Sequence, residues 1–209
     1  MKYRAGFSLI ELLIAMAIMA ALLSMGIPAF SGMLNNSKLR ASAESFLAGV
    51  QLARTEAVRR NANVDFVLTD DDQACLAFDF TAAAASLTGH NWIIRTSDLA
   101  PTGFIEGKFG YRIKDPNDPN PPALRNCVLG QEVVDITGNV ASLTFSGLGS
   151  TTLGGAATFQ FTNPTGGNCA GIGGPMRCLN VVVSIGGQAR ICDPAISAAA
   201  TAAGDTRGC

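Results

Sequence analysis

The first thirty residues constrain this chain more than any other stretch. Residues 7–30 read FSLIELLIAMAIMAALLSMGIPAF, with Glu11 as the only charge and no lysine or arginine. A bilayer-spanning helix needs about 20 mostly apolar residues, so the run is long enough to be one. The six residues before it, MKYRAG, are short and basic. A secretory signal also joins a basic start to an apolar core, and it ends at a small-x-small site that Ala20, Ala21 and Ser24 could supply. A plain anchor would carry the same run with Lys2 and Arg4 on the cytoplasmic side. Neither reading accounts for Glu11. A carboxylate inside an apolar span costs about 3 kcal/mol on insertion scales, so something should compensate it.

The ordered string Gly6-Phe7-Ser8-Leu9-Ile10-Glu11, behind a basic leader, resembles the class III signal of type IV pilins and type II secretion pseudopilins. The resemblance implies that a prepilin peptidase of the inner membrane cuts between Gly6 and Phe7. It also implies N-methylation of Phe7. The cut precedes the apolar run, so the helix stays on the mature protein and the head is exported to the periplasm. The same resemblance gives Glu11 a partner, the terminal amine of a neighbouring subunit. Breaking such a buried pair leaves a charge unmatched, at a cost of about 3–5 kcal/mol.

Pro28 lacks an amide donor and clashes with the preceding turn, so a kink or break is expected there, with the helix resuming afterwards. From Ser37, read as an N-cap, to about Asn61 the period is that of an amphipathic helix. Leu39, Ala43, Phe46, Leu47, Val50, Ala53, Ala57 and Val58 recur at spacings of three and four. One face should pack beneath a sheet. The stretch ARTEAVRRN, residues 53–61, resembles the segment typical of the GspH/FimT subgroup of minor pilins and pseudopilins. Arg59 and Arg60 at its end also suit the helix macrodipole, which favours cations there.

Beyond Asn61 the chain reads as strands and turns. Residues 64–68 and 76–80 suggest a hairpin around Asp70, Asp71 and Asp72. Residues 92–95, 109–113, 132–136, 142–145 and 158–161 suggest further strands. Residues 179–185 are the strongest strand signal, with Gly186-Gly187 as a two-residue turn into residues 188–192. The run DPNDPNPP, residues 115–122, cannot hold a ladder and reads as a loop. The expected fold is α+β and pilin-like: a long N-terminal helix packed on an antiparallel β-sheet head. Four segments follow: residues 1–6 as leader, 7–30 as membrane and assembly helix, 31–61 as amphipathic helix, and 62–209 as a β-rich head with a tied tail.

Six cysteines, Cys75, Cys127, Cys169, Cys178, Cys192 and Cys209, all lie beyond the apolar run. No C-x-x-C pair and a single histidine, His90, argue against zinc. An even count beyond an export segment fits disulfides. Cys192–Cys209 would tie the tail and Cys169–Cys178 would staple a glycine-rich loop, leaving Cys75–Cys127; this is one of about 15 pairings that six cysteines allow.

The chain's net charge is −1, and removal of the leader takes Lys2 and Arg4 with it. Nucleic-acid binding through bulk charge is therefore excluded. In some members of the subgroup a Gly-Arg-x-Arg element after the last hairpin turn captures DNA. Here the matching stretch is Gly187-Gln188-Ala189-Arg190, with the first arginine replaced. Arg190, Arg177 and Arg207 are the candidate contacts, offset by Asp193 and Asp205, and an ordinary hairpin is the favoured reading. No G-x-S-x-G, H-E-x-x-H or phosphate-loop pattern appears, so neither an enzyme nor a cofactor is expected. The expected function is that of a minor pilin that starts or caps a type IV pilus. The expected partners are other pilins or pseudopilins, the prepilin peptidase and the inner membrane. The alternatives are a type II secretion minor pseudopilin and a DNA-binding pilus subunit.

Overall fold

The structure is a computed structural model. It describes residues 8–70, 83–99, 103–108 and 134–209; within the first helix the side chains of residues 21 and 23–29 lie outside that description. Helix α1, Leu9–Arg60, is one element of 52 residues. Ser8 caps its start: the hydroxyl accepts the Glu11 N–H at 3.4 Å. Asn61 ends it in the left-handed region, with φ 49°. Asparagine tolerates that conformation, and the Ala62 N–H returns to the Ala57 carbonyl. The expected break at Pro28 is absent, and Ser37 lies inside the helix rather than at a cap. Proline removes one backbone hydrogen bond, and the long helical stretches on either side of it carry the element across.

Nine strands follow among the described residues: β1 Val64–Thr69, β2 Thr88–Gly89, β3 Asn91–Thr96, β4 Phe104–Lys108, β5 Asp135–Gly138, β6 Ser142–Phe145, β7 Ala157–Thr162, β8 Leu179–Val183 and β9 Ala189–Cys192. They form two antiparallel sheets. The first has the order β4-β3-β1-β6 and the second β2-β5-β7-β8-β9. This is the expected α+β arrangement of a long helix on antiparallel sheets. The hairpin partner expected at residues 76–80 and the strand expected at 109–113 lie outside the described residues. Both edges of residues 64–67 are in any case taken, by β3 and by β6. Asp65 ties three neighbouring segments, since Ser97 Oγ and Thr144 Oγ1 both donate to its Oδ1 at 2.7 Å.

Both sheets share one core with α1. Leu39, Ala43, Phe46, Val50, Ala53 and Ala57 present a fully buried stripe at alternating spacings of four and three. Phe46 is its centre. Its ring lies 4.7 Å from Phe66 of β1, and 4.8 and 5.3 Å from Phe159 and Phe161 of β7. One side chain thus touches both sheets, and Phe66 stacks on Trp92 beyond it. Gly49 lets helix and sheet approach: a Cβ there would lie 2.6 Å from Trp92 Cη2. Val58, expected on the buried face, is half exposed because Ala57 already occupies the inward position of that turn.

The β8–β9 connection corrects a second expectation. Ser184 N–H bonds the Gln188 carbonyl, and Gly187 N–H bonds the Ser184 carbonyl. The loop therefore has three residues, with Gly187 left-handed at φ 76°, rather than two. That is the arrangement in which a turn is followed by a glycine bulge.

Candidate assembly site

The N-terminal third of α1 is apolar and uncovered. Leu9, Ile10, Leu12, Leu13, Ile14, Met16, Ile18 and Met19 are all more than half exposed, and Phe30 and Met33 continue the pattern. Among the described residues no element of the head covers them. Among the described residues no helix is long and apolar enough to cross a membrane; Phe7, residue 21 and the side chains of residues 23–29 fall outside that set. Gly6 and Phe7, the expected cleavage and methylation residues, also lie outside the described residues. Glu11 sits in the first turn of α1 and makes no ion pair with another described residue. A carboxylate there also complements the helix macrodipole, a local role that the sequence reading did not consider.

The other end of α1 is a platform for two loops. Glu56 Oε2 lies 2.7 Å from Arg59 Nη2 and 2.8 Å from Arg60 Nε. These hydrogen bonds from Arg59 and Arg60 hold its carboxyl at about 2. Arg54 Nε donates to the Gly149 carbonyl at 2.9 Å, and its chain packs where a Cβ on Gly187 would sit. The segment 53–61 therefore braces the β6–β7 and β8–β9 loops, a use that no local sequence signal reveals because Arg54 and Gly149 stand 95 positions apart.

Cys169 is joined to Cys178 and Cys192 to Cys209, with Cα separations of 5.3 and 5.1 Å. Cys75 and Cys127 lie outside the described residues. The tail after β9 folds back on that strand and contains a short helix α2, Ala198–Ala202. Asp193 N–H bonds the Arg207 carbonyl at 2.7 Å, and Asp193 bridges Gly208 in parallel.

Of the three arginines considered for DNA, Arg190 and Arg207 have side-chain partners within the fold. Arg190 donates from Nη1 to the Gly208 carbonyl at 3.0 Å and so clamps the tail. Arg207 pairs with Asp205 at 2.8 Å, and that partner keeps the Asp205 carboxyl at about 2. Arg177 is exposed, and its backbone N–H is held by Asn36 Oδ1 at 2.8 Å.

His90, between β2 and β3, is nearly buried. Its Nδ1 lies 3.1 Å from Asp135 Oδ1 and its Nε2 lies 3.6 Å from Asp70 Oδ1. Among the described residues no group of three or more histidine, cysteine or acidic side chains is arranged to hold a metal ion.

Comparison with known proteins gives two family matches. Residues 1–27 match the prokaryotic N-terminal methylation motif, and residues 42–187 match the model of the type II transport protein GspH. Among solved structures the chain is similar to the Pseudomonas aeruginosa type IV minor pilin FimU in two crystal forms. In one, identity is 15%, coverage is 73% of this chain and 90% of that one, and the TM-score is 0.46. In the other, identity is 16%, coverage is 74% and 88%, and the TM-score is 0.47. No curated protein sequence matches the chain.

Proposed function

The chain belongs to the GspH family of pilin-type proteins and carries the N-terminal methylation motif, and from that premise we propose that it is a minor pilin that starts or caps a type IV pilus. It is a structural subunit, not an enzyme, as its family is. The observation that carries the proposal is the exposed apolar stem. Eight large apolar side chains between Leu9 and Met19 are uncovered, and exposed apolar surface of that extent marks a membrane or protein contact. The stem is held by the membrane before assembly and by neighbouring stems afterwards. Cleavage after Gly6 frees the Phe7 amine, a separate transfer from a methyl donor N-methylates it, and the amine pairs with Glu11 of a neighbour. The head remains outside the inner membrane.

A second reading, a minor pseudopilin of type II secretion, is favoured by the family whose model matches most of the head. Both share the same maturation. The first test is therefore the intact mass of the protein purified from membranes of its own host. Loss of residues 1–6 plus one methyl group is expected. A retained leader, or a cut beyond the apolar run, removes the basis for the assembly role. Immunogold labelling then separates starting or capping from a position along the shaft: the role proposed puts label at filament ends.

A further inference from the structure

A groove of about 700 Å³ lies at the base of the head. One wall is α1, with Met33, Asn36 and Arg40; the floor includes Leu179 and Ile191; the far wall is the tail, with Ile196 and Arg207. Its size falls in the range of small-ligand sites, about 300–1,000 Å³. The tail wall is held by the Cys192–Cys209 bond and by Arg190.

The position of the groove along α1 is informative. At about 1.5 Å per residue, Met33 stands about 4.5 Å and Asn36 about 9 Å beyond Phe30, the end of the apolar run. The headgroup layer on each side of a bilayer is about 5–8 Å thick. A chain whose apolar run sits in a membrane therefore holds this groove against the headgroups. Phe30 and Met33 are exposed at that level, as side chains at such a boundary would be.

The charges select the ligand. Of the two acids lining the groove, Glu44 pairs with Arg40 Nε at 2.9 Å, while Asp193 Oδ1 accepts the Ala195 N–H at 2.8 Å and keeps its charge on the tail side, beside Arg207. Arg207 is matched by Asp205. Arg177 is fixed through its backbone to Asn36, but its guanidinium has no ion pair among the described residues. An arginine on a long apolar stem can reach towards phosphates while its aliphatic part covers apolar floor.

We propose that this groove holds the phosphate of an anionic phospholipid from the bilayer that anchors α1, with Arg177 as the phosphate contact and the disulfide-tied tail as the wall. The proposal rests on the membrane-anchored reading above. The test uses the full chain in lipid nanodiscs of phosphatidylcholine, with and without phosphatidylglycerol. Lipid retained after transfer to detergent is counted by native mass spectrometry. Retention of phosphatidylglycerol over phosphatidylcholine is expected. Arg177→Gln should weaken it about tenfold, the size of one lost charge-assisted hydrogen bond. The double variant Cys192→Ala/Cys209→Ser should weaken it as well. Among the described residues Arg177 hydrogen-bonds only through its backbone, so its variant should melt like the parent, and this is checked by circular dichroism. Equal retention of both lipids, or a preference unchanged by Arg177→Gln, overturns the proposal. Displacement by millimolar inorganic phosphate would show a free-anion site and overturns it too. A chain that does not enter nanodiscs refutes the anchored reading itself; an anchored chain with no lipid preference refutes the groove alone.

Discussion

At the scale of single residues, Phe46 and Glu56 show two kinds of work done by one helix. Phe46 is fully buried and its ring meets aromatic rings from both sheets. Truncation leaves a cavity where the two sheets meet α1, and Phe→Ala changes in cores cost about 3–5 kcal/mol. Phe46→Ala should lower stability by that amount in denaturant unfolding of the detergent-solubilised chain, and a loss below about 1 kcal/mol would contradict the shared core. Glu56 works by charge. Its folded value, about 2, lies below the ordinary 4.5. A depressed carboxyl stabilises the fold above its unfolded value, and that contribution is lost as pH falls through the folded one. Glu56→Gln should therefore cost about 0.5–1 kcal/mol near neutral pH, the size of an exposed ion-pair network. The gap between parent and variant should close between pH 4.5 and 2. Melting curves across that window check it.

At the scale of elements, the helix–sheet distance and the loop geometry depend on glycines in different ways. Gly49 sits against the Trp92 ring, so Gly49→Ala would gain helix propensity yet drive a methyl into the indole. Such overpacking typically costs about 1–3 kcal/mol, more than the propensity gain of about 1 kcal/mol. A net loss of stability, measured by thermal unfolding, is the expected sign. The disulfides act on a different term. Bridges of sequence separation 9 and 17 each stabilise by about 3 kcal/mol in the chain-entropy model. They do so in the glycine-rich segments and the tail, where little side-chain burial is available to hold the chain.

At the scale of the whole molecule, the stem and head divide α1 between them. Among the described residues the head covers the stripe from Leu39 to Ala57 and leaves the apolar residues before it exposed. Assembly must supply the rest. Glu11→Ala should leave processing intact and reduce incorporation into filaments, seen as normal mature mass in membranes with less protein in sheared pili. Unchanged incorporation would leave Glu11 with only its local role at the helix start. The uncovered apolar stem, the amphipathic phase and the helix end at Asn61 were all legible in the sequence. Each is a local pattern of hydropathy, charge or capping, set by residues at most a few turns apart. The strands at residues 142–145 and 179–185 were legible for the same reason. Their pairing was not. A ladder joins segments distant in the chain, and β1 found β3 and β6 because those strands place Phe66 and its neighbours over the helix stripe. The Arg54–Gly149 brace, the Arg190 clamp and the groove beside Arg177 likewise exist only after the two sheets close on α1. Sequence determined which residues must be buried and which stem must find a partner; tertiary packing decided which polar groups were used up in the process and which were left facing outward.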